Sequence, residues 1–244
     1  MSSEFEKRYR VVREVIETLV LTLLMFLIIR LAVQNFNVDG HSMEPNLHDQ
    51  ELILVDKWTY LFHAPARGDV VVFVAPPNPS LDYVKRVIGL PGDVITIKNT
   101  MVYVNGKILS EPYVLPSNQG NPFGSFTNRI IPPNTYFVLG DNRNGSSDSR
   151  DWGCVPRQNV IGRAALVYWP LGQDNDGVLP NESSIYKSIP APPITSSTDI
   201  CPISPNDNLS STLQPANGTM NTNMVLLLIM PGMFVMFSRR KSLR

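Results

Sequence analysis

The apolar positions near the start of the chain form one long run that is apolar on every face. Residues 18–29, TLVLTLLMFLII, carry no charge, and residues 15–33 span 19 positions with only Glu17 and Arg30 charged. At about 1.5 Å per residue this segment is about 28 Å long, close to the hydrocarbon thickness of a bilayer. An interfacial helix would keep one polar face, and a cleaved signal peptide would end at a small-residue site. We predict a transmembrane anchor over residues 15–33, with those two segments as alternatives.

The charges around this run predict its orientation. Lys and Arg residues stand before it at positions 7, 8, 10 and 13, whereas residues 31–56 contain neither. Positively charged flanks remain on the cytoplasmic side of a membrane. Residues 1–14 are therefore expected to be a cytoplasmic tail, and the chain after the anchor is expected on the opposite, trans side.

Residues 35–171 change to short runs of β-branched and aromatic residues separated by turn residues. Pro91-Gly92 and Asn105-Gly106 are typical turn dipeptides, and no long amphipathic helical pattern occurs between them. Such runs favour antiparallel strands over alternating strands and helices. The predicted strands lie in residues 51–55, 69–73, 83–89, 93–97, 102–109, 135–140 and 164–169. We therefore expect a mainly β fold, an antiparallel β-sheet domain behind an N-terminal transmembrane helix.

The end of the chain contains two segments of different composition. Residues 172–222 are rich in Pro, Ser, Thr and Asn without apolar periodicity, which predicts a disordered linker. Residues 223–244 contain the apolar run MVLLLIMPGMFVMF followed by Arg and Lys residues. Fourteen apolar residues interrupted by Pro231-Gly232 are short for a span. Two interpretations remain open: a second membrane span with a cytoplasmic basic end, or a peripheral or removable tail.

Composition narrows the function classes. Charged residues make up 17% of the 244-residue chain, and the 21 basic and 21 acidic residues cancel. A nucleic-acid binder usually has a basic excess, so that class is disfavoured. Two cysteines, Cys154 and Cys201, exclude a four-cysteine zinc site and a disulfide scaffold. Whether they pair is left open by the sequence.

Three stretches carry candidate chemistry: GHSMEP at 40–45, YVKRVIGLPGD at 83–93 and GDNRNGSSDSR at 140–150. In a strand, Lys85 shares its face with Tyr83 and Val87. If that face is buried, loss of solvation lowers the pKa of Lys85 and allows it to act as a base. A serine activated by such a lysine is one known form of nucleophilic catalysis. Each stretch alone is more often an ordinary turn, strand or loop.

Together the stretches closely resemble the type I signal peptidases, membrane-anchored Ser/Lys leader peptidases that release secreted proteins from their signal peptides. Four blocks match in order: residues 42–45, 67–73, 83–93 and 140–153. The resemblance spans about residues 14–170 and leaves residues 171–244 outside it. It implies a serine endopeptidase that cuts exported preproteins after small residues, as in Ala-x-Ala.

The resemblance also implies roles for individual residues. Ser42 matches the nucleophile and Lys85 the general base. Ser146 falls where the family orients the lysine ammonium, and Asp148 and Arg150 fall where an ion pair supports the site. Shallow apolar pockets for the substrate would be lined by Val38, Met43, Leu47, Tyr83 and Val84.

One departure concerns the oxyanion hole. Some family members carry a serine two positions before the nucleophile, whereas this chain has Gly40. Without a side-chain donor, the oxyanion would depend on the Ser42 backbone N–H, and Gly40 would allow close backbone approach.

The resemblance further implies surroundings and partners. It suggests a bacterial-type plasma or thylakoid membrane, with membrane lipid and the protein-export translocon as candidate partners. No cofactor, metal or nucleic acid is expected. The individual substrates, the organism and the oligomeric state stay open.

Other functions fit less well. A Ser-His hydrolase would need His41, His48 or His63, and none shows the context of an orienting Asp that such a triad requires. No zinc-ligand pattern occurs. A self-cleaving Ser–Lys repressor lacks support because the chain has an apolar anchor and no DNA-binding module. An inactive membrane-tethered binding paralogue should have lost Ser42 or Lys85, and both are present.

Overall fold

A computed structural model describes residues 2–170, 177, 179, 182–193, 199–203 and 242–243. Its first element is helix α1, Ser2–Ala32. Within it, residues 8–32 have the length and mean hydropathy, 2.3, of a membrane span, and their apolar side chains are exposed. The helix ends where Val33 pairs with Asp56 and the Lys57 amide donates to the Ala32 carbonyl. The apolar helix is confirmed, and it ends one residue before the predicted boundary.

The rest of the described chain is built mainly of strands. They are β1 Val33–Val38, β2 Leu52–Asp56, β3 Val70–Val74, β4 Asp82–Gly89, β5 Val94–Lys98, β6 Met101–Val104, β7 Lys107–Ile108, β8 Phe126–Ile130, β9 Thr135–Leu139, β10 Val155–Pro156, β11 Val160–Trp169 and β12 Ser242–Leu243. Short helices are α2 Thr59–Phe62, α3 Ser149–Trp152 and α4 Ser183–Tyr186, with 3₁₀ turns at Pro116–Asn118 and Arg157–Asn159.

The strands form two sheets. The larger has the order β10-β9-β4-β12-β1-β2-β11-β3 and closes on itself because β3 also pairs with β4. The smaller has the order β7-β6-β5-β8. Strand pairs are antiparallel except for those of β12, which runs parallel to β1 and β4. The predicted antiparallel β domain is confirmed.

Each predicted strand run contains a strand, because alternating β-branched residues fit a pleated, buried surface. The run 102–109 forms the hairpin β6–β7 around Asn105 and Gly106, both with positive φ, as its turn dipeptide predicts. Strands β1, β8, β10 and β12 were not predicted. Three buried apolar clusters fill the domain, and those around Val38 and Phe73 lie on opposite faces of β4.

The described part of residues 172–222 is packed onto the β domain. Tyr186 of α4 is buried and its hydroxyl lies 2.8 Å from the Tyr113 hydroxyl. Cys154 and Cys201 form a disulfide, and the Cys154 amide donates to the Pro202 carbonyl at 2.8 Å. The prediction of a disordered linker is therefore wrong for residues 182–193 and 199–203. The buried Tyr186 side chain, the disulfide and a few backbone hydrogen bonds hold these residues, so their sequence needs no apolar periodicity.

The predicted apolar segment, residues 223–244, lies outside the described residues except for Ser242 and Leu243. Those two residues pair with β1 and β4. The second span and the peripheral or removable tail both stay predictions for this segment.

Candidate active site

Ser42 and Lys85 are in direct contact. The Lys85 Nζ donates a hydrogen bond of 2.7 Å to the Ser42 Oγ, across 43 residues of sequence. Lys85 comes from the middle of β4, and Ser42 from the turn that follows β1. Lys85 is 1% exposed, and its Nζ also donates to the Val84 carbonyl at 2.9 Å. The two residues that the sequence singles out as nucleophile and base therefore share one hydrogen bond.

Burial changes the acidity of Lys85. Loss of solvation lowers its pKa from 10.5 to about 8, although the negative charges of Asp148 and Asp141 oppose that shift. The Nζ lies 5.3 Å from the centre of the Tyr83 ring. The predicted shared face of Tyr83, Lys85 and Val87 is thus an interior face, as a lysine base requires. A substantial fraction of Lys85 is neutral near pH 8 and can accept a proton.

The turn at residues 41–47 presents Ser42. It begins after Gly40, whose φ of +111° lies in the region that favours glycine, and whose amide donates to Asp49 at 2.7 Å. Amides of Asn46 and Leu47 then donate to the Met43 carbonyl. A Cβ at position 40 would meet nothing within 4 Å among the described residues, so close approach of a substrate backbone at Gly40 stays a prediction. Glycine is favoured there by the reversal of the chain.

The loop at residues 140–150 lies against this turn and is held by a buried ion pair. Arg150 Nη2 lies 2.8 Å from Asp148 Oδ2, and both side chains are almost fully buried. Asp148 also accepts from the Gly140 amide at 3.1 Å, and Arg150 donates to the Arg143 carbonyl at 2.8 Å. Residues 148 and 150 thus form the ion pair that the resemblance implies.

Ser146 lies beside the dyad without the expected hydrogen bond to Lys85. Its Oγ is buried and has no hydrogen-bond partner among the described residues. A Cβ at Gly140 would lie 2.2 Å from that Oγ and 2.5 Å from the Ser42 carbonyl oxygen. Glycine at position 140 is therefore what allows Ser146 and Ser42 to approach so closely.

Asn142 is a site residue that the sequence did not single out. Its amide donates to the Ser42 carbonyl at 3.0 Å, and its Nδ2 donates to the His41 carbonyl at 3.1 Å. The His41 carbonyl and the Ser42 N–H belong to one planar peptide unit. Asn142 therefore fixes the direction of the Ser42 N–H. Its place in a run of loop residues gave no sign of this contact.

A buried pair behind the site was also missed. Arg86 and Asp141 are each about fully buried and make two hydrogen bonds, at 2.8 and 2.6 Å. Asn46 Nδ2 adds a 2.9 Å hydrogen bond to Asp141. These contacts tie β4, the 140–150 loop and the Ser42 turn together.

Most of the predicted pocket residues come together. Val38, Met43, Leu47 and Val84 are buried in one apolar cluster. Tyr83 instead lies on the opposite face of β4, with its ring 6.3 Å from that of Phe73. Because alternate residues of a strand point to opposite faces, Tyr83 shares the face of Lys85 rather than that of Val84, and its place in a substrate pocket stays a prediction.

The histidine alternative finds no support at Ser42. His41 Nδ1 lies 2.7 Å from Glu44 Oε1, and this hydrogen bond raises the pKa of the exposed imidazole. Ser42 Oγ is bonded to Lys85 instead. Across the described ranges, no three His, Cys, Asp or Glu side chains are grouped as a metal site would need.

Comparison with known proteins shows which family this chain resembles. The family described as "Signal peptidase, peptidase S26" matches residues 12–169. Signal peptidase I from Leptolyngbya laminosa is 39% identical over 168 residues, covering 66% of this chain and 81% of that protein. Signal peptidase I from Bacillus caldolyticus is 44% identical over 149 residues, covering 57% and 81%. A crystal structure of a signal peptidase I from Enterococcus faecalis V583 is 34% identical and covers 42% of this chain and 98% of its own, with a TM-score of 0.38.

These matches place the chain among the peptidases, and it belongs to the signal peptidase family, peptidase S26.

Proposed function

We propose that this chain removes N-terminal signal peptides from exported preproteins by cutting after small residues, with Ser42 as nucleophile and Lys85 as general base. The observation that carries the proposal is the 2.7 Å contact between Lys85 Nζ and Ser42 Oγ inside a buried site. The signal peptidase I names of the relatives support the substrate class. An inactive paralogue is disfavoured because both reacting groups are present and in contact.

The reaction follows from the two groups. Neutral Lys85 accepts the hydroxyl proton of Ser42, and the Oγ attacks the carbonyl carbon of the substrate bond. The Lys85 ammonium then protonates the departing amine, which leaves an ester between Ser42 and the signal peptide. Water attacks this ester while Lys85 takes a proton from it. The returning proton restores the Ser42 hydroxyl and releases the peptide as a carboxylic acid.

The developing oxyanion needs a donor already in place. We assign this role to the Ser42 backbone N–H, because Asn142 holds the carbonyl of the same peptide unit. Gly40 supplies no side-chain donor. Ser146 keeps its proposed role toward the Lys85 ammonium, since its buried hydroxyl has no partner within the described chain. The Asp148–Arg150 pair holds that loop in position.

Contact with membrane lipid is part of the same proposal. The Lys57 amide bonds to the Ala32 carbonyl, so the residues after β2 lie at the end of α1. There Trp58, Leu61 and Phe62 are 42%, 75% and 74% exposed. Tryptophan and apolar side chains at the end of a span favour the membrane interface. By its resemblance to the signal peptidases, the protein is further proposed to reside in a bacterial-type plasma or thylakoid membrane, next to the export translocon.

The charge asymmetry around α1 predicts which side carries the domain. With residues 1–14 in the cytoplasm, protease added outside intact spheroplasts should digest the β domain and spare an N-terminal tag. Immunoblotting with antibodies to each end measures this. A protected β domain and a digested tag would reverse the proposed orientation.

A direct assay tests substrate choice. The full chain purified in detergent should cleave a preprotein that carries Ala-x-Ala before its mature start. Changing the alanine at −1 to leucine should lower kcat/KM by at least about 100-fold, because the proposed shallow pocket would exclude the added bulk sterically. Mass spectrometry of the products locates the cut. Equal cleavage of both preproteins would contradict the proposed specificity.

A further inference from the structure

Strand β12 fills the gap between β1 and β4 in the closed sheet. It pairs in parallel with residues 37–38 of β1, and its Leu243 pairs with Asp82 of β4. The Asp39 amide donates a 2.5 Å hydrogen bond to the Leu243 carbonyl. Peptides commonly bind by adding such a strand to an open sheet edge. The segment therefore lies in the gap as an extended peptide would.

The side chain of Leu243 occupies the apolar pocket of the site. It is fully buried and belongs to the same cluster as Val38, Met43 and Val84, which were predicted to line a substrate pocket. A leucine enclosed there also shows that this pocket is not limited to alanine.

The direction of β12 relates it to the reacting atoms. Because it runs parallel to β4, a chain continuing past Leu243 advances from the level of Asp82 toward Lys85. Those two residues are three positions apart, or about 10 Å along a strand. Leu243 thus matches a position about three residues before the residue at the level of Lys85, near −4. The bond after Leu243 falls short of Ser42.

We propose that the segment Ser242–Leu243 is an internal competitor that occupies the substrate groove between β1 and β4 and must leave before a preprotein strand can bind. This inference rests on the proposed function. The segment runs in the direction of a substrate strand, but its peptide bonds do not reach Ser42. It therefore inhibits the enzyme without being cleaved.

Charge supports a reversible association. Positions 239, 240, 241 and 244 of the sequence are Arg or Lys. Acidic residues flank Leu243 on both sides, Asp39 after β1 and Asp82 in β4. Tethering gives such a segment an effective concentration on the order of millimolar, enough for a weak ligand to compete.

Kinetics of the full chain test the competition. Deletion of residues 242–244, and Leu243→Asp, should each lower KM for an Ala-x-Ala preprotein by about two- to tenfold at unchanged kcat. Ser238→Asp is the matched control, since it adds the same charge to the same segment outside β12, and should keep the wild-type KM. Unchanged KM in both test variants would overturn the proposal.

Hydrogen exchange gives a readout that does not depend on catalysis. The Asp39 amide should exchange faster in the deletion variant than in wild type and Ser238→Asp, because its acceptor is lost. Faster exchange without a change in KM would mean docking without competition and would refute the proposal. If no protein cleaves the preprotein, wild type included, the proposed function is refuted and the competition with it. In that case the exchange rate of the Asp39 amide would still decide whether the segment docks.

Discussion

Replacing Ser42 or Lys85 by alanine is expected to lower preprotein cleavage by at least about 1000-fold, with little further loss in the double variant. Ser42 supplies the attacking oxygen, and Lys85 is the group bonded to it. Because the two residues act as one unit, removing either removes the same step. Initial rates at saturating and limiting preprotein measure the loss.

Two conservative variants separate chemistry from folding. Lys85→Arg keeps a positive charge but cannot lose its proton at ordinary pH, so it should be inactive. Lys85→Met replaces the buried ammonium by an apolar chain of similar length and should keep or raise the melting temperature while remaining inactive. Substantial turnover by a folded Lys85→Met protein would rule out Lys85 as the base.

Truncation after residue 171 is expected to destabilise the β domain severely, although the family match ends at residue 169. The truncation removes Cys201 and Tyr186. A disulfide that closes a loop of 47 residues stabilises by about 4 kcal/mol. Losing a buried aromatic side chain costs about 3–5 kcal/mol. These losses approach the entire stability of an ordinary domain.

Truncation after residue 203 is the matched control. Like the shorter protein it lacks β12, but it keeps α4 and the disulfide, so its melting temperature under non-reducing conditions should lie well above that of the protein truncated after residue 171. The double variant Cys154→Ser/Cys201→Ser should fall between the two truncations. Equal thermal unfolding of both truncated proteins would show that residues 182–203 contribute nothing to the fold.

The β-strands were predictable because their local pattern matches their environment. A run such as VVVF at residues 70–73 has few stable places except a buried strand. Burial of Lys85 was suggested by the same kind of pattern, since Tyr83 and Val87, which share its face of the strand, are aromatic and apolar. The contact with Ser42 required the resemblance, because no local pattern links residues 43 positions apart.

What escaped prediction depends on single contacts. Asn142 acts through two hydrogen bonds to the Ser42 turn, and loop sequences do not encode such pairings. The residues around Cys201 are ordered by a disulfide and a few backbone bonds rather than by an apolar face. Two residues of β12 are too few to produce any periodicity. The role of Asn142, the order around Cys201 and the position of β12 are all determined by tertiary contacts between distant parts of the chain.

The pH dependence of kcat/KM for the full chain on an Ala-x-Ala preprotein tests the Ser42–Lys85 mechanism most directly. Lys85 must be neutral to accept the Ser42 proton, and burial places its pKa at about 8. The rate should therefore rise about tenfold per pH unit below that value and level off above it. A rate that is flat from about pH 6 to about pH 10, or that levels off near the ordinary histidine pKa of about 6.5, would contradict a lysine base.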